Sequence, residues 1–129
     1  MKLLVVLFLT LLAPSIYAYD LVCSNMQGAS VTYDSGTDVD DDGYSADKFY
    51  LTFSSNSLEV QMSGLNNMKD TAMLSNKSTD GWSSYIANYG GDQRIWTFYP
   101  SKNVLARVDI QTLIFFGIPE IKVMMSKCS

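Results

Sequence analysis

Phe49-Tyr50-Leu51-Thr52-Phe53-Ser54-Ser55-Asn56-Ser57-Leu58-Glu59-Val60-Gln61-Met62 is the stretch that decides the fold. In its first five residues the odd positions are strongly apolar. In its last five, Leu58, Val60 and Met62 are apolar while Glu59 and Gln61 face away. A period of two is that of a β-strand, whose successive side chains point to opposite faces. The spacer Ser54 to Ser57 has turn composition and hairpin length. The segment therefore predicts a β-hairpin.

The same alternation recurs along the chain. Arg94-Ile95-Trp96-Thr97-Phe98-Tyr99 stops at Pro100. After Ser101-Lys102-Asn103, Val104, Ala106, Val108 and Ile110 share one face, with Arg107, Asp109 and Gln111 on the other. On this pattern Arg107 and Asp109 are expected as an exposed strand pair. Ile121 to Ser126 reads as a strand after Gly117-Ile118-Pro119, although Met124 breaks its polar side. Ser30-Val31-Thr32-Tyr33 is strand-like in composition. Thr71 to Leu74 is either a short strand or a helical turn, and Trp82 to Tyr89 reads as a strand because Gly81 and Gly90-Gly91 bracket it. The sum is an all-β chain of about eight strands, a single small antiparallel β-barrel or sandwich. Short connections favour an up-and-down meander in which the first and last strands become neighbours.

The N-terminus has the grammar of an export signal. Met1-Lys2 is a short positive start, Leu3 to Leu12 is apolar, and Pro14-Ser15-Ile16-Tyr17-Ala18 leads to a small residue. The apolar run is about half of the roughly 20 residues a membrane-spanning helix needs. Cleavage after Ala18 is expected, giving a signal peptide at 1–18, a single β domain at 19–129, and a secreted or periplasmic protein with no membrane attachment after cleavage. A lipidated Cys23 does not fit, because Asp20-Leu21-Val22 separates it from the apolar run. Cys23 and Cys128 are the only two cysteines. In an oxidising compartment such an isolated pair is expected to form a disulfide tying the first strand to the last.

Residues 19–129 carry eight basic and thirteen acidic groups, a net charge of −5. An acidic surface repels phosphate backbones and anionic lipid. A basic protein, a cation or a neutral glycan remains as a partner class. The sequence contains no histidine. An imidazole-based triad, a His-ligated zinc and a His-held haem are thereby excluded, and the expectation is a non-enzymatic chain without an organic cofactor.

Three sets of residues carry candidate chemistry. Asp38-Val39-Asp40-Asp41-Asp42-Gly43 fits the opening of a calcium loop, in which alternate carboxylates converge on one hard cation and the glycine permits the turn. Asp38, Asp40 and Asp42 with the Tyr44 carbonyl and Asp47, and Asp34 as a further carboxylate, form that candidate set. Phe49 stands where the bidentate Glu should be, and a solvated acidic turn uses the same residues. The second set is aromatic: Trp82, Tyr85, Tyr89, Trp96, Phe98 and Tyr99. Arg94, Trp96 and Phe98 share one face, which with Trp82 and Tyr85 is the candidate contact surface; core packing is the competing role for such residues. The third is a carboxylate pair for glycoside-type hydrolysis, drawn from Glu59, Asp80, Asp92, Asp109 and Glu120. Asn76-Lys77-Ser78 also has the three-residue pattern of an N-glycosylation acceptor.

The export signal, the early Cys23, Asp42-Gly43-Tyr44-Ser45, the strand end Trp96-Thr97-Phe98-Tyr99-Pro100 and the terminal Ser126-Lys127-Cys128 together resemble small secreted bacterial proteins. The architecture they imply is similar to that of the periplasmic lysozyme inhibitors, which are small disulfide-closed β-barrels. The Ser-Gly and Tyr-rich inhibitory signature of that family is not present, so the resemblance assigns no functional residue. The expected function is an exported, non-enzymatic binding or inhibitor-like β domain acting on a protein or glycan. The alternatives are a calcium-braced structural domain and a carboxylate-dependent hydrolase.

Overall fold

The computed structural model describes residues 19–33, 36–38, 46–64, 67–113 and 117–129. Nine strands run in order: β1 (Leu21–Thr32), β2 (Gly36–Asp38), β3 (Lys48–Phe53), β4 (Ser57–Ser63), β5 (Lys69–Lys77), β6 (Ser83–Tyr89), β7 (Asp92–Tyr99), β8 (Val104–Leu113) and β9 (Ile118–Cys128). The expected hairpin is β3/β4, with Leu51 opposite Val60 and Phe53 opposite Leu58. Thr71 to Leu74 lies within β5, a strand and not a helical turn. From β3 to β9 each strand pairs with the next, and β1 closes the sheet by pairing with both β3 and β9. The product is a closed eight-stranded antiparallel barrel. The short β2 pairs only with the far end of β1.

Closure is fastened where it is made. Cys23 and Cys128 stand directly opposite each other in the β1/β9 register and form a disulfide, with Cα atoms 3.9 Å apart and a sequence separation of 105. Next to them Val22 and Ser129 exchange both amide hydrogen bonds, at 3.0 and 2.9 Å. This leaves the cysteines in the closer, non-hydrogen-bonded type of antiparallel pair. A cross-link enclosing about 100 residues stabilises by roughly 4–5 kcal/mol in the chain-entropy account.

Alternation along β1 is interrupted once. Its register against β9 slips between Ser24 and Gln27, and Asn25 takes a left-handed φ of 56°. The bulge turns Met26 inward after the inward Cys23, and from there Gln27 is out and Gly28 is in. Gly28 is a site of close approach: a Cβ there would collide with the Val123 carbonyl and with Met124 on the neighbouring strand.

The interior is divided along the barrel axis. Towards the end that holds the disulfide and the β3/β4, β5/β6 and β7/β8 connections, it is apolar: Phe49, Leu51, Leu58, Phe98 and Leu105 fill it. Phe53 packs at ring-centroid distances of 5.2 Å from Phe98 and 6.3 Å from Tyr85. Towards the other end it is ionic. Here the expectation for β8 is overturned. Arg107 is 0% and Asp109 3% exposed, so this pair points into the barrel, and Ile110 on the opposite face is 42% exposed. The strand alternates as expected, but with its polar side inward, because Arg94 and Asp70 supply counter-charges within the lumen.

Gly28→Ala is expected to lower stability by about 1–3 kcal/mol or more, since the added methyl meets backbone with no room to move. Urea denaturation of the oxidised protein checks it; an unchanged midpoint would contradict the β1/β9 contact.

Candidate functional site

The ionic end of the barrel is organised by two short elements of sequence. Gly90 and Gly91, with φ of 55° and 107°, form the two-residue β6/β7 turn, and both angles are ones that glycine adopts freely. The turn sets Tyr89 opposite Asp92 and, two residues further in, Ala87 opposite Arg94. On the other side of β7, Arg94 faces Asp109 and Trp96 faces Arg107. Cross-strand pairing alone therefore stacks two guanidiniums, a carboxylate and an indole in the lumen.

Two carboxylates hold the stack together. Asp109 accepts from Arg94 Nε at 2.8 Å, from Arg107 Nε at 2.9 Å and from Arg107 Nη2 at 2.6 Å. Asp70, reaching in from β5, accepts from Arg94 Nη1 at 2.8 Å, Trp96 Nε1 at 3.0 Å and the Tyr89 hydroxyl at 2.5 Å. The Arg107 guanidinium also lies 5.2 Å from the Trp96 ring centroid, and Arg94 5.5 Å from that of Tyr89. Met62 places its sulfur 3.8 Å from Arg107 Nη1. Glu120 accepts from Gln111 and lies 3.7 Å from Lys122.

Protonation states follow from this packing. Burial alone would raise the pKa of Asp109, but hydrogen bonds and charge from Arg107, with the charge of Arg94, outweigh it and hold the carboxyl below its usual range. Burial would likewise lower that of Arg94; Asp109 and Asp70 overcome it and push the guanidinium above its ordinary value. For Tyr89, burial and the hydrogen bond to Asp70 act together and raise the hydroxyl to about 12.

Above the ladder a cleft of about 200 Å³ opens between the β6/β7 turn and the far part of β8. Tyr89, Asp92, Arg94, Asp109 and Gln111 line it, with Met68 from the β4/β5 connection. Asp92 accepts from the Thr112 amide at 3.1 Å. Among the described residues no ammonium or guanidinium forms an ion pair with it.

The candidate contact residues are not assembled into one external surface. Trp96 and Phe98 do share a face with Arg94, but that face is the barrel interior, and Trp96 is fully buried. Tyr85 is buried against Phe53. Trp82 lies half-buried in the β5/β6 connection at the opposite end, its carbonyl accepting from the Ser78 amide. Of the five, Arg94 alone reaches the cleft.

For the calcium set, Asp38 ends β2, where it pairs with Ser30, and Asp47 is buried with its carboxylate against Gly64. Asp34, Asp40, Asp42 and Tyr44 lie outside the described residues. Among the described residues no group of three acidic or cysteine side chains is placed to hold a metal ion.

Of the acids named for hydrolysis, Asp92 and Asp109 line one cleft. Glu59 pairs with Lys69 at 3.1 Å on the outer wall, and Asp80 lies in the β5/β6 connection. Asp70 was not singled out from the sequence. Its signal was present: in Asp70-Thr71-Ala72-Met73-Leu74 the acid occupies the face of Ala72 and Leu74.

Compared with known proteins, the chain matches no family model, no curated protein and no solved structure.

Asp109→Asn is expected to cost about 3–5 kcal/mol, because it strips a buried guanidinium of its counter-charge. Thermal denaturation of this variant beside wild type checks it. The pH dependence has two limbs. The contribution of Asp109 is complete above the ordinary carboxylate value of about 4 and is lost as pH falls through its lower folded value. That of Tyr89 is complete below about 10 and is lost as pH rises through about 12. Tyr89→Phe is expected to flatten the alkaline limb and leave the acid limb in place.

Proposed function

We propose that this chain is an exported, non-enzymatic binding domain whose barrel mouth receives a cationic side chain of a basic partner protein. The observation that carries the reading is the cleft at Asp92. Below it Asp70, Arg94, Asp109 and Arg107 neutralise one another, while Asp92 lines the cleft and, among the described residues, has no ion-pair partner. A rigid, mutually compensated floor with one carboxylate above it suits recognition of an ammonium or guanidinium, and the acidity of residues 19–129 draws such partners in. Export is supported by the signal-like first eighteen residues and by the Cys23–Cys128 disulfide.

Asp92 and Asp109 in one cleft favour a second reading, carboxylate-dependent hydrolysis. That chemistry needs a carboxyl that donates a proton to a leaving group. Asp109 is poorly suited to the role, because Arg107 and Arg94 hold it ionised. Binding without turnover therefore stands first.

A short poly-lysine peptide titrated into labelled protein tests the proposal. Expected are amide shifts confined to Met68, Tyr89–Arg94 and Asp109–Gln111, affinity that falls with added salt, and about fivefold weaker binding in Asp92→Asn, the loss of roughly 1 kcal/mol for one partly exposed charge pair. Shifts spread over the whole surface, or full affinity in Asp92→Asn, would remove the mouth as the site.

A further inference from the structure

Of the seven asparagines in the sequence, only Asn76 stands two residues ahead of a serine or threonine, with Lys77 and not proline between it and Ser78. The fold carries this acceptor to the outer wall, at the end of the barrel opposite the mouth. Asn76 pairs with Ser84 near the end of β5, just past the register shift that follows Leu74. Ser84 in turn faces Thr97, and their hydroxyls bond at 2.7 Å. The neighbouring pair, Ser83 and Phe98, points into the core, so Asn76, Ser84 and Thr97 stand outside. One step further along, the Ser78 amide donates to the Trp82 carbonyl at 2.9 Å, which continues the ladder and places Ser78 and Trp82 on that same outer face. Asn76 and Lys77 are exposed, and among the described residues nothing bonds to the side-chain amide of Asn76.

We propose that Asn76 is an N-glycan attachment site whose first sugar is seated on the Trp82 indole. The step is transfer from a polyprenyl diphosphate-linked oligosaccharide on the export side of the membrane. A bond forms between the side-chain nitrogen of Asn76 and the anomeric carbon, and the bond from that carbon to the diphosphate oxygen breaks. The proton shed by the nitrogen balances the charge of the released polyprenyl diphosphate.

Both the unfolded and the folded chain suit this step. The transferase acts on an unfolded segment, and barrel closure waits for β9, the last strand exported, because Cys23 has no partner until Cys128 arrives. A lone hairpin is marginal in water, so β5 is still open as it passes. In the finished barrel Asn76 faces solvent, where a bulky polar group is accommodated. Trp82 lies diagonally across the β5/β6 ladder from it, a separation that a large aromatic side chain spans. An indole offers a broad apolar face to the C–H side of a sugar ring. Attachment depends on the export proposed above and not on what the mouth binds, since the mouth lies at the other end of the barrel.

Intact masses of the naturally secreted chain, and of full-length variants secreted from a eukaryotic host, test this. Expected is the added mass of a glycan that peptide N-glycosidase removes, leaving aspartate in place of Asn76. Asn76→Gln and Ser78→Ala are expected to lose that mass entirely, and Ser78→Thr to keep it. Removing the glycan from the folded protein is expected to lower the thermal midpoint by about 2–4 °C, the scale of one aromatic contact in a small domain, and Trp82→Leu to abolish that difference. A chain secreted without added mass, or with mass that survives in Asn76→Gln, overturns the site. A midpoint indifferent to the glycan overturns its seat on Trp82. A chain kept in the cytosol with residues 1–18 attached is a different failure, which sinks the export reading and the site together.

Discussion

The interaction on which the structure depends is the burial of the Arg107–Asp109 pair in the barrel lumen, joined to Asp70 through Arg94. A strand has only two faces. Once Arg107 and Asp109 turn inward, Ala106, Val108 and Ile110 must turn outward, and the register of β8 with β7 and β9 passes the same choice to its neighbours. The ionic mouth and the apolar outer wall are two consequences of one decision. Placing charge inside is costly, and replacing such a network by apolar side chains is often neutral or stabilising. Here the network's fixed charges and hydrogen bonds hold the side chains of the mouth in one geometry, which supports the binding role proposed for it.

The seam between β1 and β9 makes that interior possible. Without closure the two edge strands would expose unpaired amides and carbonyls, and water would enter the lumen and screen the ionic ladder. The disulfide acts on the unfolded chain, the bulge at Asn25 restores Met26 to the core, and Gly28 lets β1 press against Met124. These features lie on one strand, which explains how β1 can serve β9, β3 and β2 in turn.

Much of this was legible in the sequence. The alternation at 49–62 and 94–111 gave the strands, and two isolated cysteines near the termini of the domain gave the closure. What period two cannot supply is sign. Val-Leu-Ala-Arg-Val-Asp-Ile-Gln reads equally well with either face inside, and the ordinary preference for apolar burial chose wrongly for β8 because the counter-charges come from distant strands. The same blindness left core packing and a contact surface both open for Trp96 and Phe98; both are in the core, where the indole packs on Arg107 and donates to Asp70. Asp70 was the available clue, an acid in phase with Ala72 and Leu74. The cleft was not visible as such: Arg94 was named as a contact on the Trp96/Phe98 face and Asp92 as a generic acid, since the effect of the Gly90-Gly91 turn shows only once β6 and β7 are paired.

The orientation of β8 can be measured directly by nuclear magnetic resonance through the Arg107 side chain. With the pair inside, the Arg107 Nε proton is expected to exchange slowly with water and to show nuclear Overhauser contacts to the Trp96 ring. Fast exchange of that proton, with no contact to Trp96, would contradict the inward pair, and the mouth and the apolar wall would fall with it.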